Sequence, residues 1–288
     1  NEELKILINS ETPLLSNKLI NVFMKEEIFH LVLQKSLILN KSIEKLITRL
    51  RSEILFKLDD INKDSLKEYH DFIISLAEQN WLNEYVNAET QEEINEVSKL
   101  KEKIEKKEQI NEIEIAVLGS YIPLNRFEII IKKLLNYSSS NNLFNDLINL
   151  QIKEPIKEKE LIKSLKSLNE IIDPVSKKVR AQYEKNPYPR WIKFARSPQK
   201  LSIADLVADL HLGLHRSEIL DTRSPRILVA GCGTGRQSIE TALNFSDCDV
   251  TGVDLSSRSL AYATRVAKEL CISNLRYVQA DILNIGQL

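Results

Sequence analysis

The 288-residue chain has only three cysteines, a number that is both low and odd, and this excludes a disulfide framework. The chain also lacks any run of about 18 apolar residues, the length that a transmembrane helix needs. Its first ten residues have neither the basic end nor the small-residue cleavage site of a signal peptide. The net charge of −1 excludes a protein that is basic throughout, although a local basic patch is compatible with it. We therefore expect a cytoplasmic protein without a membrane partner.

Glycine is scarce, and its distribution divides the chain. Six of the seven glycines and ten of the 13 arginines lie after residue 179. The net charge changes from −6 over residues 1–173 to +5 over residues 174–288. A long glycine-poor sequence with few turn signals is typical of helices. These shifts predict two regions of different architecture, with a boundary between residues 170 and 200.

Apolar side chains in the first region recur at the spacing of a helix. One apolar face follows an expected N-cap at Ser42 and consists of Ile43, Leu46, Ile47, Leu50 and Ile54. Thr90 and Glu93 have the spacing of a capping box, which predicts that another helix begins there. The pattern predicts an all-helical domain over residues 1–172.

The pattern changes after Pro225. Short apolar runs typical of strands occupy residues 226–230, 249–253 and 275–279, and helical stretches separate them. Such alternation predicts a parallel βαβαβ sheet. The expected fold class is α + α/β, an all-helical N-terminal domain followed by a partial Rossmann-like parallel sheet. Since three strands make about half of such a sheet, we expect an inactive fragment whose first strand lies at an exposed edge.

A glycine-rich loop follows the first of these strands: Gly231-Cys232-Gly233-Thr234-Gly235. Such a loop before a helix lets a ligand approach the backbone and the N–H groups of the helix. Arg236 stands where the fingerprint for NAD or FAD requires glycine, and the phosphate-binding P-loop pattern is absent. The loop therefore predicts a site for a nucleoside without a pyrophosphate.

Two carboxylates end the next two strands. Asp254 ends the second strand, where it could accept hydrogen bonds from both hydroxyls of a ribose. Asp281 follows the third strand, where it could accept one from the amino group of an adenine. Ligands bind at the carboxyl ends of the strands in open α/β sheets.

The stretches ILVAGCGTG, VTGVDLS and YVQADIL together resemble the first three motifs of class I S-adenosylmethionine-dependent methyltransferases. The resemblance implies that Gly231, Cys232 and Gly233 lie along the amino-acid part of S-adenosylmethionine, and we assign Gly235 of the same loop to the site. One position departs from the family, which often has Asp or Glu where this chain has Val229.

The resemblance extends to the nucleoside end of the cofactor. It implies that Asp254 binds the ribose and that Leu255 packs on the adenine. It also implies that Asp281 and Ile282 meet the adenine edge. We expect no metal site, because His211 and His215 have no third ligand at a diagnostic spacing.

A basic and aromatic segment, residues 177–200, precedes the sheet. It holds eight basic residues, one acid at Glu184 and interleaved aromatics at positions 183, 188, 191 and 194. Part of it, KKVRAQYEKNPYPRWIKF, resembles the block before the catalytic domain of bacterial methyltransferases with a helical or tetratricopeptide-like N-terminal region. The segment could be a lid over the cofactor, a site for an anionic substrate or nucleic acid, or a linker whose aromatics pack. We assign residues 173–223 to a helical linker or lid and residues 224–288 to the N-terminal half of a cofactor-binding domain.

These patterns predict an S-adenosylmethionine-dependent methyltransferase. The acceptor is unidentified, with an anionic molecule or a protein as candidates and nucleic acid less favoured, and no catalytic base can be assigned. The alternative is a non-catalytic helical interaction module with a degenerate cofactor-binding fold.

Overall fold

The computed structural model describes residues 12–58, 68–168, 170–185, 187, 189–192, 201–211, 222, 224–245 and 248–287. Its contacts divide the chain into two compact units, Asn1–Pro155 and Ile156–Leu288. This division falls before the expected boundary after residue 172. The difference arises because residues 166 and 167 pair with a strand of the C-terminal sheet.

The described part of the first unit is helical. Its α-helices are α1 (Lys18–Lys25), α2 (Glu27–Lys35), α3 (Lys41–Phe56), α4 (His70–Leu82), α5 (Gln91–Lys106), α6 (Glu112–Gly119), α7 (Glu128–Leu134) and α8 (Asn142–Ile148). Short 3-10 helices cover Leu14–Ser16 and Leu124–Arg126, and a π-helical turn, Asn149–Lys153, continues α8.

Polar caps fix where these helices begin. The side chain of Asn40 accepts hydrogen bonds from the backbone N–H groups of Ser42 (3.0 Å) and Ile43 (3.2 Å). The expected cap at Ser42 is therefore wrong, because Asn40 has the extended backbone that a cap requires. The capping box at α5 is confirmed, since the side chains of Thr90 and Glu93 each accept the other's backbone N–H.

Helix α4 is buried on all sides from Phe72 to Leu82. Several polar side chains of this helix are buried and need hydrogen-bond partners. Arg51 of α3, for example, donates a hydrogen bond to Asn80 Oδ1 at 3.1 Å. Glu78 has a carboxylate oxygen, Oε2, without a partner among the described residues. Burial raises the pKa of Glu78 to about 8, so the side chain holds a proton at neutral pH.

The second unit contains the sheet. Its elements are α9 (Glu154–Ser164), which begins at the boundary, β1 (Lys166–Ser167), α10 (Pro174–Lys185), α11 (Ile203–Asp209), β2 (Arg226–Ala230), α12 (Arg236–Asn244), β3 (Asp249–Asp254), α13 (Ser257–Glu269), β4 (Leu275–Gln279) and a 3-10 helix (Ile282–Gln287).

The four strands are parallel and lie in the order β1-β4-β3-β2. In the register, Ala230 pairs with Val253, and Asp254 pairs with Gln279. The three predicted strands are confirmed, and β2 lies at an edge of the described sheet, as expected. The expected all-helical stretch up to residue 172 is interrupted by β1, because the outer edge of β4 offers backbone partners to this short segment.

The core of the second unit lies between the sheet and its helices. Ile239 of α12 and Leu260 of α13 are fully buried there with Val250 of β3. Trp191 joins the same cluster from the segment before the sheet. Among the described helices of both units, none is long and apolar enough to cross a membrane.

Candidate cofactor-binding site

The loop between β2 and α12 depends on two glycines for different reasons. Gly231 has a φ of +68°, and a Cβ atom there would meet no atom within 4 Å. Gly235 has a φ of +86°, and a Cβ atom there would lie 2.4 Å from Ala263 Cβ and 2.6 Å from Tyr277 Oη. Glycine is favoured at both positions by the left-handed backbone. At Gly235 it is also required by the close packing of the loop on α13 and β4.

Asp254, the last residue of β3, links the glycine loop to the start of α13 through two hydrogen bonds. Its Oδ2 accepts a hydrogen bond from the backbone N–H of Gly233 at 2.8 Å. Its Oδ1 accepts another from the backbone N–H of Ser256 at 2.9 Å. A carboxylate has about four lone-pair sites, so each oxygen can accept a further hydrogen bond from a ligand. The carboxylate can therefore hold the loop and a hydroxyl-bearing ligand at once.

A cavity of about 470 Å³ lies against this loop and Asp254. Its lining comes from the loop, the end of β3 and the residue after it, the first residue of the 3-10 helix after β4, the start of α12, helix α10 and one further residue. These lining residues are Gly231, Cys232, Gly233, Thr234, Arg236, Gln237, Asp254, Leu255, Ile282, Val179, Tyr183 and Pro189. The structure thus brings six of the eight expected site residues together around one cavity, and Gly235 and Asp281 are not among its lining.

Asp281 is buried beside the lining residue Ile282 and is 2% exposed. Its Oδ1 accepts from the backbone N–H of Leu283 at 3.0 Å. Its Oδ2 is buried and has no hydrogen-bond partner among the described residues. A buried acceptor without a donor costs free energy, so this oxygen is suited to a ligand N–H or amino group that reaches it.

Cys232 lies in the loop and lines the cavity. Burial and the nearby negative charge of Asp254 raise the pKa of its thiol. The side chain therefore remains a protonated thiol, which is a poor nucleophile.

The segment before the sheet is attached to the glycine loop through Thr234. The hydroxyl of Thr234 donates to the carbonyl of Pro189 at 2.7 Å, and the indole N–H of Trp191 donates to the carbonyl of Thr234 at 3.2 Å. Trp191 also lies edge-on to Tyr262, with 6.1 Å between ring centres. Trp191 thus packs as a linker aromatic would, whereas Tyr183 lines the cavity as a lid residue would.

Several expected features fall outside the described residues. They are Asn186, Tyr188, Lys193, Phe194, Arg196 and Lys200 of the basic and aromatic segment, and His215. His211 is exposed, and its Nδ1 lies 3.0 Å from the carbonyl of Asp209. Within the described part of the chain, no group of three or more His, Cys, Asp or Glu side chains could hold a metal ion.

Six residues of the cavity lining were not among the expected site residues: Val179, Tyr183, Pro189, Thr234, Arg236 and Gln237. Arg236 served only to exclude NAD, although it lines the cavity and forms a 3.1 Å ion pair with Glu240. Its position at the start of α12, directly after the loop, was the signal that could have placed it. Val179, Tyr183 and Pro189 lie in the basic and aromatic segment, for which a lid was one alternative, but no local signal shows which residues of the segment reach the cavity.

A methyltransferase-domain family matches residues 222–288. Three curated proteins are similar to parts of the chain. A tRNA (guanine-N(7)-)-methyltransferase of Rubrobacter xylanophilus is 35% identical over 24% of this chain and 31% of its own length. An (S)-coclaurine N-methyltransferase of Papaver somniferum is 36% identical over 26% of this chain and 21% of its own. A release factor glutamine methyltransferase of Salmonella typhimurium is 39% identical over 21% and 22%.

The chain thus spans less than a third of each of these relatives. No solved structure is significantly similar to it. The three relatives share the name methyltransferase, and their names give three different acceptors. The matches therefore support a methyltransferase function for the C-terminal part of the chain and do not indicate an acceptor.

Proposed function

We propose that the cavity at the glycine loop binds S-adenosylmethionine and that this chain belongs to a methyltransferase that uses it. The single observation that carries the proposal is the contact between Asp254 and the loop. The carboxylate of Asp254, at the end of β3, accepts a hydrogen bond from the backbone N–H of Gly233 and lies beside a cavity of about 470 Å³. The methyltransferase-domain match over residues 222–288 supports the same conclusion.

The described residues fit the parts of this cofactor. Asp254 would accept hydrogen bonds from the ribose hydroxyls, and Leu255 and Ile282 would offer apolar surface to the adenine. The unpartnered Oδ2 of Asp281 would accept from the adenine amino group. The amino-acid part would lie along Gly231 and the neighbouring residues of the loop.

The strand before the loop lacks a charge that the resemblance leads us to expect. Val229 is buried at the position where the family often has a carboxylate for the amino group of the cofactor. Gly235 would contribute through the shape of the loop, because its own contacts are with Ala263 and Tyr277. We therefore propose that a backbone carbonyl or a water molecule accepts from that amino group.

S-adenosylmethionine supplies a methyl group on a positively charged sulfur, which is a good leaving group. The residues of this chain would then contribute by binding the cofactor, orienting it and excluding water, rather than by supplying a strong base. The acceptor would approach from outside the described cavity. We propose an anionic molecule or a protein as that acceptor, and a cytoplasmic location for the reaction, since the three cysteines form no disulfide framework.

Methyl transfer by the natural protein tests the proposal. The protein is incubated with S-adenosylmethionine carrying an isotopically labelled methyl group and with a cell extract, and labelled products are identified by mass spectrometry. We expect label in one defined class of molecule and, at a limiting concentration of S-adenosylmethionine, much weaker labelling by the control variant Asp254→Ala. Equal labelling with both proteins would contradict the role of this site. No labelling by either protein, with cofactor still bound, would favour a non-catalytic interaction module.

A further inference from the structure

We infer that Glu184 is a positioning residue of the proposed cofactor site. It attaches α10 to the start of α13 and thereby holds Tyr183 as one wall of the cavity. The inference rests on the proposed function. Glu184 lies outside the three motifs, and the inference assigns a role to this one acidic residue of the basic and aromatic segment.

Helix α10 forms a wall of the cavity through one of its faces. Val179 and Tyr183 both line the cavity and are four residues apart, so they lie on the same side of the helix. Each of these side chains is 38% exposed, which leaves a large apolar and aromatic surface available to a ligand. Tyr183 is therefore an aromatic residue of the cavity lining that comes from α10 and not from the three motifs of the sheet.

Glu184, the next residue after Tyr183, accepts hydrogen bonds from the first turn of α13. Its Oε1 accepts from the backbone N–H of Ser257 at 2.6 Å and from the Ser257 hydroxyl at 2.8 Å. The first N–H groups of a helix have no partner within the helix, and the N-terminus favours negative charge. The carboxylate of Glu184 therefore suits this position both as an acceptor and as a charge. Arg180 lies one turn earlier in α10, with its Nε 3.8 Å from the same oxygen.

The same helix start is also held from the strand side. Asp254 Oδ1 accepts from the N–H of Ser256, the residue directly before Ser257. Two carboxylates therefore bind consecutive backbone N–H groups, Asp254 from the end of β3 and Glu184 from α10. Because Asp254 also lines the cavity, this arrangement fixes the position of α10 relative to the residue proposed to bind the ribose.

A second attachment lies further along the chain, where Pro189 accepts the hydroxyl of Thr234 at 2.7 Å. Attachment on the C-terminal side of Tyr183, at both Glu184 and Pro189, restricts where the tyrosine ring can lie. A ring that is already in place loses little conformational freedom when a ligand binds, so pre-organisation of this kind strengthens binding. Glu184 would act on affinity through Tyr183, without touching the ligand.

A double-mutant cycle tests this relationship on the full 288-residue chain. The affinity for S-adenosylhomocysteine is measured by calorimetry for wild type, Glu184→Ala, Tyr183→Ala and the double variant. We expect each single variant to bind about tenfold more weakly and the double variant to bind about as weakly as Tyr183→Ala alone. Glu184→Gln keeps an acceptor oxygen and should stay within about threefold of wild type. Lys178→Ala is the matched control, because this exposed residue of α10 does not line the cavity.

Hydrogen exchange provides a readout that needs no ligand. In Glu184→Ala we expect faster exchange of the α10 amides and unchanged exchange in β2, β3 and β4. A loss of about a hundredfold in the double variant would show independent effects and overturn the inference. Wild-type affinity in Glu184→Ala, or unchanged α10 exchange, would overturn it too. If Glu184→Ala does not fold, a folded Glu184→Lys variant takes its place. Wild-type affinity together with wild-type exchange of the α10 amides in that variant would overturn the inference, and weaker binding with faster α10 exchange would support it.

Failure of wild type to bind S-adenosylhomocysteine is a separate result. It would overturn the proposed function, and with it the role of Glu184 in cofactor binding. Normal binding by both wild type and Glu184→Ala would overturn only the role of Glu184 and would leave the proposed function intact. The two failures are therefore distinguishable.

Discussion

The backbone N–H of Gly233 donates a 2.8 Å hydrogen bond to Oδ2 of Asp254, so the end of β3 and the loop after β2 hold each other in place. The two residues are neighbours in space because β2 and β3 are paired in parallel register up to Ala230 and Val253. A single carboxylate thereby both shapes the glycine loop and remains available to a ligand.

Replacement of Asp254 by alanine should weaken the binding of S-adenosylhomocysteine. Hydrogen bonds to a charged group contribute about 1.5–3 kcal/mol, which corresponds to a loss in affinity of roughly ten- to a hundredfold. Calorimetry on the variant measures this loss, and circular dichroism checks that the fold is retained. Asp249→Asn is the control, because Asp249 begins the same strand and is exposed. An unchanged dissociation constant in Asp254→Ala would mean that the ribose is held elsewhere.

Gly235→Ala should destabilise the second unit more than Gly231→Ala. Both variants place a Cβ on a left-handed backbone, which costs about 1–2 kcal/mol. At Gly235 the new atom also collides with Ala263 and Tyr277, and overpacking adds about 1–3 kcal/mol. Urea unfolding followed by the fluorescence of Trp191, in a Trp81→Phe background that removes the second tryptophan, measures the difference. Equal stability of the two variants would argue against the close packing of the loop on α13.

The first unit should become less stable as the pH rises from about 4.5 to about 8. Burial raises the pKa of Glu78 from 4.5 to about 8 in the folded state. Between these values the folded state holds a proton that the unfolded state has lost, so the free energy of unfolding falls with rising pH. The slope contributed by Glu78 is at most about 1.4 kcal/mol per pH unit.

Urea unfolding at pH 5 and pH 8 measures this dependence. Glu78→Gln should remove most of it and should stabilise the protein at pH 8. The exposed Glu102 of α5, which pairs with Lys106 at 3.2 Å, provides the control variant Glu102→Gln. The prediction fails if Glu78→Gln shows the same pH dependence as wild type.

The thiol of Cys232 should react slowly with iodoacetamide at pH 8, and that of Cys271 should react quickly. Cys232 is buried, and burial and Asp254 raise its pKa, whereas Cys271 is exposed. Each unit by which a thiol pKa exceeds the pH lowers the reactive thiolate fraction about tenfold. Mass spectrometry of the labelled peptides compares the two rates. In urea the two rates should become similar. Fast labelling of Cys232 in the folded protein would contradict the burial of its thiol.

The strands and the glycine loop could be predicted from the sequence because their signals are local. Three apolar runs gave the three strands, and Thr90 with Glu93 gave the start of α5, since a capping box needs only two residues at a fixed spacing. The spatial neighbourhood of the loop and Asp254 followed from a general property of parallel sheets, in which the carboxyl ends of the strands meet at one side.

The remaining features depend on contacts distant in sequence. Strand β1 has only two residues and forms because the edge of β4 is available, so no periodicity indicates it. Glu184 lies 73 residues from Ser257, and nothing in a run of charged and aromatic residues says which of them bonds to a helix start. The cap at Asn40 was missed because asparagine and serine are both good caps, and backbone conformation decides between them.

Calorimetric titration of the 288-residue chain with S-adenosylhomocysteine, S-adenosylmethionine and NAD shows which class of cofactor the glycine loop binds. Because Arg236 replaces the glycine that NAD-binding loops require, and because Asp254 lines the cavity, we predict saturable binding of both sulfur compounds. We predict no heat of binding with NAD. Binding of NAD, with no response to either sulfur compound, would contradict the account.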